Sequence, residues 1–171
     1  MDDDAQTVNR AKQQAYRLLA YRSQTSSELR ERLQRRGHDA AVIDEVLRQL
    51  VADGYIDDHK VALNWAHYRL QTKPLGRRRL AWELQRRGVP SESLEEVLRE
   101  VYSEFNEVVL AEQALRKRLR TKELPRSARD RQREARYLMS LGFDADTVAA
   151  ALVTLGSPDE AREIMSNDDS C

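Results

Sequence analysis

Cysteine occurs once, as the final residue Cys171. A single thiol cannot close an internal disulfide, so packing alone must hold the fold, which points to a reducing compartment and a cytoplasmic location. Phenylalanine and tryptophan occur twice each in 171 residues, whereas 34% of the chain is charged. That balance excludes one large core and leaves thin cores that share apolar surface. No apolar run approaches the roughly 18 residues of a membrane span. The opening Met1-Asp2-Asp3-Asp4 has the wrong sign for a secretory signal, so the expectation is an unexported protein. Net charge is also lacking, with 29 basic residues against 29 acidic ones, and that balance conceals segregation along the chain.

What is present is repetition. Leu33-Gln34-Arg35-Arg36-Gly37 recurs letter for letter as Leu84-Gln85-Arg86-Arg87-Gly88, and a degraded copy follows as Leu138-Met139-Ser140-Leu141-Gly142. After each glycine comes the same helical stripe: Ile43, Val46, Leu47 and Leu50, then Leu94, Val97, Leu98 and Val101, then Val148, Ala151, Leu152 and Leu155. A helix, a left-handed glycine stop and an amphipathic helix thus recur three times. The pattern predicts an all-α fold, an elongated array of three tandem three-helix units with about nine helices and no strand. The units span 7–53, 54–106 and 107–157. An acidic tail, 1–6, precedes them and a polar tail, 158–171, follows.

Within unit one, helix A runs from about Val8 to Arg22 with Val8, Ala11, Ala15, Leu18 and Leu19 inward. Thr25 and Glu28 form a capping box for helix B, and Asp39 caps helix C. In unit two, Asp57 or Asp58 caps helix A, with Val61, Ala62, Trp65 and Tyr68 inward. Helix B opens on Gly76 with Leu75 and Leu80 as a hydrophobic staple. Unit three uses Ala111, Leu115 and Leu119, breaks at Glu123-Leu124-Pro125, and restarts on Ser127, with Asp144 capping its last helix.

Sorted by segment, the charges form two basic strips. Between Arg69 and Gly88 lie Arg69, Lys73, Arg77, Arg78, Arg79, Arg86 and Arg87, opposed by Glu83 alone. Between Gln113 and Tyr137 lie Arg116, Lys117, Arg118, Arg120, Lys122, Arg126, Arg129, Arg131, Arg133 and Arg136 against three acids. The C helices lean acidic. Arginines near helix C-termini are explained by the helix dipole. Arg77, Arg78 and Arg79 are not, because cations in a first helical turn oppose it. The strips therefore nominate a partner surface for acidic protein or phosphate groups: Arg69, Lys73, Arg77, Arg78, Arg79, Arg86 and Arg87, with Arg116, Lys117, Arg120, Arg129 and Arg133.

No catalytic constellation is legible. His38, His59 and His67 lack cysteine partners and metal-ligand spacing. There is no phosphate-binding loop, no dinucleotide fingerprint and no Ser, His and Asp set in context. Trp65, Tyr68 and Trp82 could stack on bases, but their spacing fits core packing better. The expectation is a non-catalytic monomer without cofactor, metal or membrane attachment.

Gly54-Tyr55-Ile56-Asp57-Asp58 before an aromatic helix, and Leu75-Gly76-Arg77-Arg78-Arg79-Leu80 with Glu83-Leu84 and Arg87-Gly88-Val89, resemble two stretches of the RecX family, regulators of the RecA recombinase. The likeness covers about residues 10–156. Arg77 stands where the family has proline, and Val61 where it prefers phenylalanine. The resemblance implies tandem three-helix units, no enzymatic activity and the RecA–DNA filament as partner. It also implies restraint of the filament's ATP hydrolysis, strand exchange and co-protease function. The alternative, from the residues themselves, is a direct DNA-binding protein built of homeodomain-like units.

Overall fold

The computed structural model describes residues 2–119 and 127–156. All regular structure among them is α-helical: α1 (Asp2–Tyr21), α2 (Ser26–Gln34), α3 (Ala40–Ala52), α4 (Asp58–Thr72), α5 (Arg77–Arg86), α6 (Ser91–Glu104), α7 (Glu107–Leu119), α8 (Ala128–Ser140) and α9 (Ala145–Gly156). The expected break at Glu123–Pro125 and the tail 158–171 lie outside the described residues. The acidic stretch expected as an N-terminal tail is instead helical from Asp2. Once a helix is nucleated, each further residue costs little, and Ala5 and Gln6 are good helix formers.

The repeated phrase ends α2, α5 and α8 in one way. Gly37, Gly88 and Gly142 all take positive φ, at 82°, 75° and 91°. The next amide then turns back on the helix: His38, Val89 and Phe143 donate to the carbonyls of Leu33, Leu84 and Leu138 at 3.3, 3.2 and 3.3 Å. This is a Schellman stop, which satisfies carbonyls a helix end would otherwise leave open. The leucine that opens each phrase therefore has two jobs. Its carbonyl anchors the stop, and its side chain is fully buried in all three copies.

The chain divides into two compact units, residues 1–65 with 83–97 and residues 66–82 with 98–171. The division cuts α4, α5 and α6, the helices of the expected middle unit. In the first unit α1, α2 and α3 pack pairwise around Ala11, Ala15, Leu18, Leu29, Leu33, Ile43, Val46, Leu47, Leu50 and Ile56. Small alanines on α1 face large aliphatics on α2 and α3, which suits a core this poor in aromatics. Thr25 accepts the Glu28 amide at 3.1 Å and Glu28 accepts the Thr25 amide at 3.3 Å, so the capping box forms as expected. Asp39 holds the cap position of α3 without a side-chain hydrogen bond. His38 meets Gln14 at 3.1 Å.

In the second unit α7, α8 and α9 pack pairwise, with Leu110, Ala111, Ala114, Leu115, Leu119, Leu138, Phe143, Val148 and Ala151 buried. Leu152 and Leu155, expected on the stripe, are half-buried. Ser127 and Asp144 cap α8 and α9 through the amides of Asp130 and Thr147, at 3.0 and 2.7 Å.

The inward face of α4 differs from expectation in part, since Ala62 is buried and Val61 and Trp65 are half-buried but Tyr68 is not inward. Ala62, Ala66 and Leu70 are buried at four-residue spacing, whereas Tyr68 is 57% exposed. Trp82, on α5, is 43% exposed. Two alanines and a leucine supply the buried row.

Candidate functional site

The first turns of α2 and α5 are each built into a junction by a later helix end. In the first unit, the Thr25 hydroxyl donates to the Arg87 carbonyl at 2.7 Å, and the Ser26 amide donates to Asp58 at 2.6 Å. The Arg87 guanidinium pairs with Glu28 at 2.8 Å and covers the Trp65 ring at 4.2 Å. A β-carbon on Gly88 would fall 2.2 Å from the Ser27 β-carbon. Asp57 and Asp58, alternatives from sequence, divide the work: Asp57 caps α4 through the Lys60 amide at 2.9 Å, and Asp58 reaches α2.

The second unit repeats the device. Gly76 and Arg78 amides donate to the carbonyls of Leu141 and Gly142 at 3.0 and 3.2 Å, so the open end of α8 satisfies the open start of α5. The Arg77 amide donates to Glu107 at 3.1 Å, as Ser26 does to Asp58. Both acids open an A helix. A β-carbon on Gly76 would lie 2.2 Å from the Phe143 nitrogen, and one on Gly142 would lie 2.3 Å from the Arg79 nitrogen. The two backbones meet where only glycine fits. The Tyr102 hydroxyl donates to the Leu75 carbonyl at 3.0 Å, and burial pushes its pKa upward.

Glu107 carries a titration signature. Burial raises its carboxyl above the usual range, against the lowering effect of the Arg77 amide. A carboxyl raised on folding binds protons more readily in the native state, so its stabilising contribution is present at acid pH and lost as pH rises through the folded value. Glu107→Gln keeps an acceptor for Arg77 without the charge. Its stability relative to the parent should therefore improve between about pH 4 and pH 7 in urea titrations. A relative loss over that interval would contradict this assignment.

The nominated basic residues separate into groups. Arg87 is committed to the first junction, with a side chain 19% exposed. Arg133 holds Glu134 at 3.0 Å and Asp130 at 3.3 Å. Arg118 also holds Glu134, at 2.7 Å, and lies 4.1 Å over Tyr137. Two arginines thus neutralise one buried carboxylate, Glu134 being 2% exposed, because an unpaired buried charge is costly. Arg116 pairs with Glu112 at 3.4 Å. Arg77 lies over Tyr102 at 5.9 Å and Arg79 over Trp82 at 4.4 Å.

Lys73, Arg78, Lys117 and Arg129 are exposed, and none has a salt-bridge partner among the described residues. Thr147 holds Asp144 below the ordinary carboxylate range, with a smaller contribution from Arg78. Arg69 is half-buried near the end of α4, and Arg86 is exposed at the end of α5. Arg120 lies outside the described residues.

The structure brings Arg77, Arg78 and Arg79 together on the first turn of α5. Glu107 and the α8 carbonyls, which accept the amides of Arg77, Gly76 and Arg78, offset part of the dipole cost that cations meet there. Sequence reasoning missed Asp58 and Glu107 as junction residues. Their signal was their shared place, an acid at the first residue of an A helix.

Three-helix modules in tandem, with B helices joined last turn to first turn, define an all-helical repeat protein. Models of the first and second three-helix domains of RecX match residues 11–50 and 57–98. The chain belongs to the RecX family. It is 34% identical over 160 residues to the regulatory protein RecX of Geobacillus thermodenitrificans, covering 93% of this chain and 59% of that protein. It is also 34% identical over 146 residues to that of Halorhodospira halophila, covering 85% of this chain and 88% of the relative. The crystal structure of RecX from Lactobacillus salivarius shares the fold with a TM-score of 0.77 at 19% identity, covering 89% of this chain and 98% of that one.

Proposed function

We propose that this chain is a non-catalytic regulator that binds the RecA–DNA filament and restrains its ATPase, strand-exchange and co-protease activities. The observation that carries the surface assignment is the first turn of α5. Arg78 is exposed there without a salt-bridge partner among the described residues, and Arg77 and Arg79 flank it on aromatic rings. Guanidinium groups held on aromatic faces present planar donors that suit carboxylates and phosphates. Lys73 lies just before this turn. Membership of a family whose relatives are named regulatory proteins supports a regulatory role.

The test is inhibition of filament ATPase by the chain and its variants at matched ionic strength. Arg78→Gln should leave stability within about 0.5 kcal/mol of the parent, as for most surface changes. Each lost exposed pair costs up to about 1 kcal/mol. Changing Arg77, Arg78 and Arg79 together to Gln should therefore weaken inhibition roughly tenfold or more and flatten its salt dependence. Undiminished inhibition by the triple variant would move the docking surface to Lys117 and Arg129.

A further inference from the structure

In both junctions the end of one B helix meets the start of the preceding B helix, and among the described residues the end of α2 and the start of α8 have no such counterpart. In the first junction the receiving turn is Thr25–Glu28 and the inserting turn is Arg87-Gly88. Ser127 and Asp130 repeat Thr25 and Glu28 at the start of α8. Ser127 accepts the Asp130 amide at 3.0 Å, as Thr25 accepts that of Glu28 at 3.1 Å. Asp130 pairs with Arg133 at 3.3 Å, as Glu28 pairs with Arg22 at 3.5 Å. Arg36-Gly37 repeats Arg87-Gly88 in sequence and in backbone, with φ of 82° against 75°. Yet a β-carbon on Gly88 meets Ser27 at 2.2 Å, and one on Gly37 meets nothing within 4 Å. Arg36, Ser127 and Arg129 are exposed.

We propose that these two turns mate between copies of the chain. The last turn of α2 in one molecule inserts at the first turn of α8 in the next. The Ser127 hydroxyl, which donates to the Asp130 carboxylate at 2.6 Å in the free chain, turns to the Arg36 carbonyl, and the Arg36 guanidinium takes its place on Asp130, as Thr25 and Glu28 engage Arg87 inside the molecule. The mating surfaces differ, so the contact is heterologous and propagates head to tail instead of closing as a dimer. It is small. One hydrogen bond and one partly exposed ion pair make it weak between free molecules, and alignment on a common scaffold would strengthen it by raising effective concentration.

Ser127 and Asp130 keep the chemistry of Thr25 and Glu28, whereas Arg129 does not keep that of Ser27. Arg129 stands where Ser27 meets Gly88, so it places a bulky cation against the incoming Arg36. Arg129→Ser should therefore tighten the contact.

Sedimentation velocity of the full chain at low ionic strength tests this, with Cys171→Ser throughout to exclude disulfide dimers. No recombinase is present, so failure here and failure of the proposed function are separate results. Concentrations should extend to about 1 mM, so that association with a dissociation constant in the millimolar range is read. The mean sedimentation coefficient should rise with concentration without a plateau at the dimer. Arg129→Ser should shift the rise several-fold lower in concentration, and Arg36→Glu should abolish it. Arg36→Glu combined with Asp130→Lys should restore it. Circular dichroism melts of each variant confirm that the helices are intact. A monomer at every concentration for both the parent and Arg129→Ser would overturn the proposal. So would association that Arg36→Glu leaves unchanged.

Discussion

Gly142→Ala should destabilise the protein by about 2–4 kcal/mol, whereas Gly37→Ala should cost only about 1 kcal/mol. Both residues end a helix with positive φ, at 91° and 82°, so both variants carry the penalty of a β-carbon in the left-handed region. They differ in their surroundings. The added carbon at Gly142 falls 2.3 Å from the backbone nitrogen of Arg79, which a rotamer change cannot move, and at Gly37 it meets nothing within 4 Å. Relief at Gly142 would require α5 and α8 to separate, breaking the bonds from Gly76 and Arg78 to Leu141 and Gly142. Urea titrations of the two variants measure the difference directly. Equal losses would show that the junction is looser than described.

Leu84→Ala should cost about 2–5 kcal/mol, the range for deleting a fully buried leucine side chain. Leu84 is 0% exposed. Its carbonyl accepts the Val89 amide at 3.2 Å, and alanine keeps that bond, so the loss reports packing alone. Met139→Ala is the control, because Met139 is 51% exposed and should change stability by less than about 0.5 kcal/mol. A loss below that figure at Leu84 would show that helix B does not carry the core.

These effects lie where local sequence determines structure. The Leu-to-Gly phrase closes its own helix within six residues, so three Schellman stops and three buried leucines are legible in the sequence. The stripes of α3 and α6 were legible for the same reason, since one helical face is written at fixed spacing. The junctions were not. Thr25 meets Arg87 across 62 residues of sequence, and nothing near Arg87 distinguishes it from a solvent-facing cation in the last turn of a helix. Arg87 was accordingly nominated for a partner and is used internally. Glu134 is similar: besides its neighbour Arg133 it pairs with Arg118, 16 residues away, which its local sequence does not show. On α4 the expected face ran through Tyr68, whereas the buried row follows Ala62, Ala66 and Leu70 at four-residue spacing.

The basic residues nominated from sequence are not equivalent in the structure. Arg87, Arg118 and Arg133 are engaged with acids of the same chain. In the proposed function the partner meets the start of α5 at Arg78, with Lys73 beside it in sequence and Lys117 and Arg129 further along. A direct DNA binder would use such a surface through phosphate neutralisation alone, and its affinity would fall steeply with salt. A filament regulator would need the protein lattice as well.

Equilibrium binding of the fluorescently labelled full chain, titrated with ATP-loaded RecA filament and separately with naked single-stranded DNA over a salt series, decides between them. The account predicts tight binding to the filament, much weaker binding to naked DNA at the same ionic strength, and a selective loss of filament affinity when Arg77, Arg78 and Arg79 are changed to Gln. Equal affinity for naked DNA and filament, with the same steep salt slope, would contradict it.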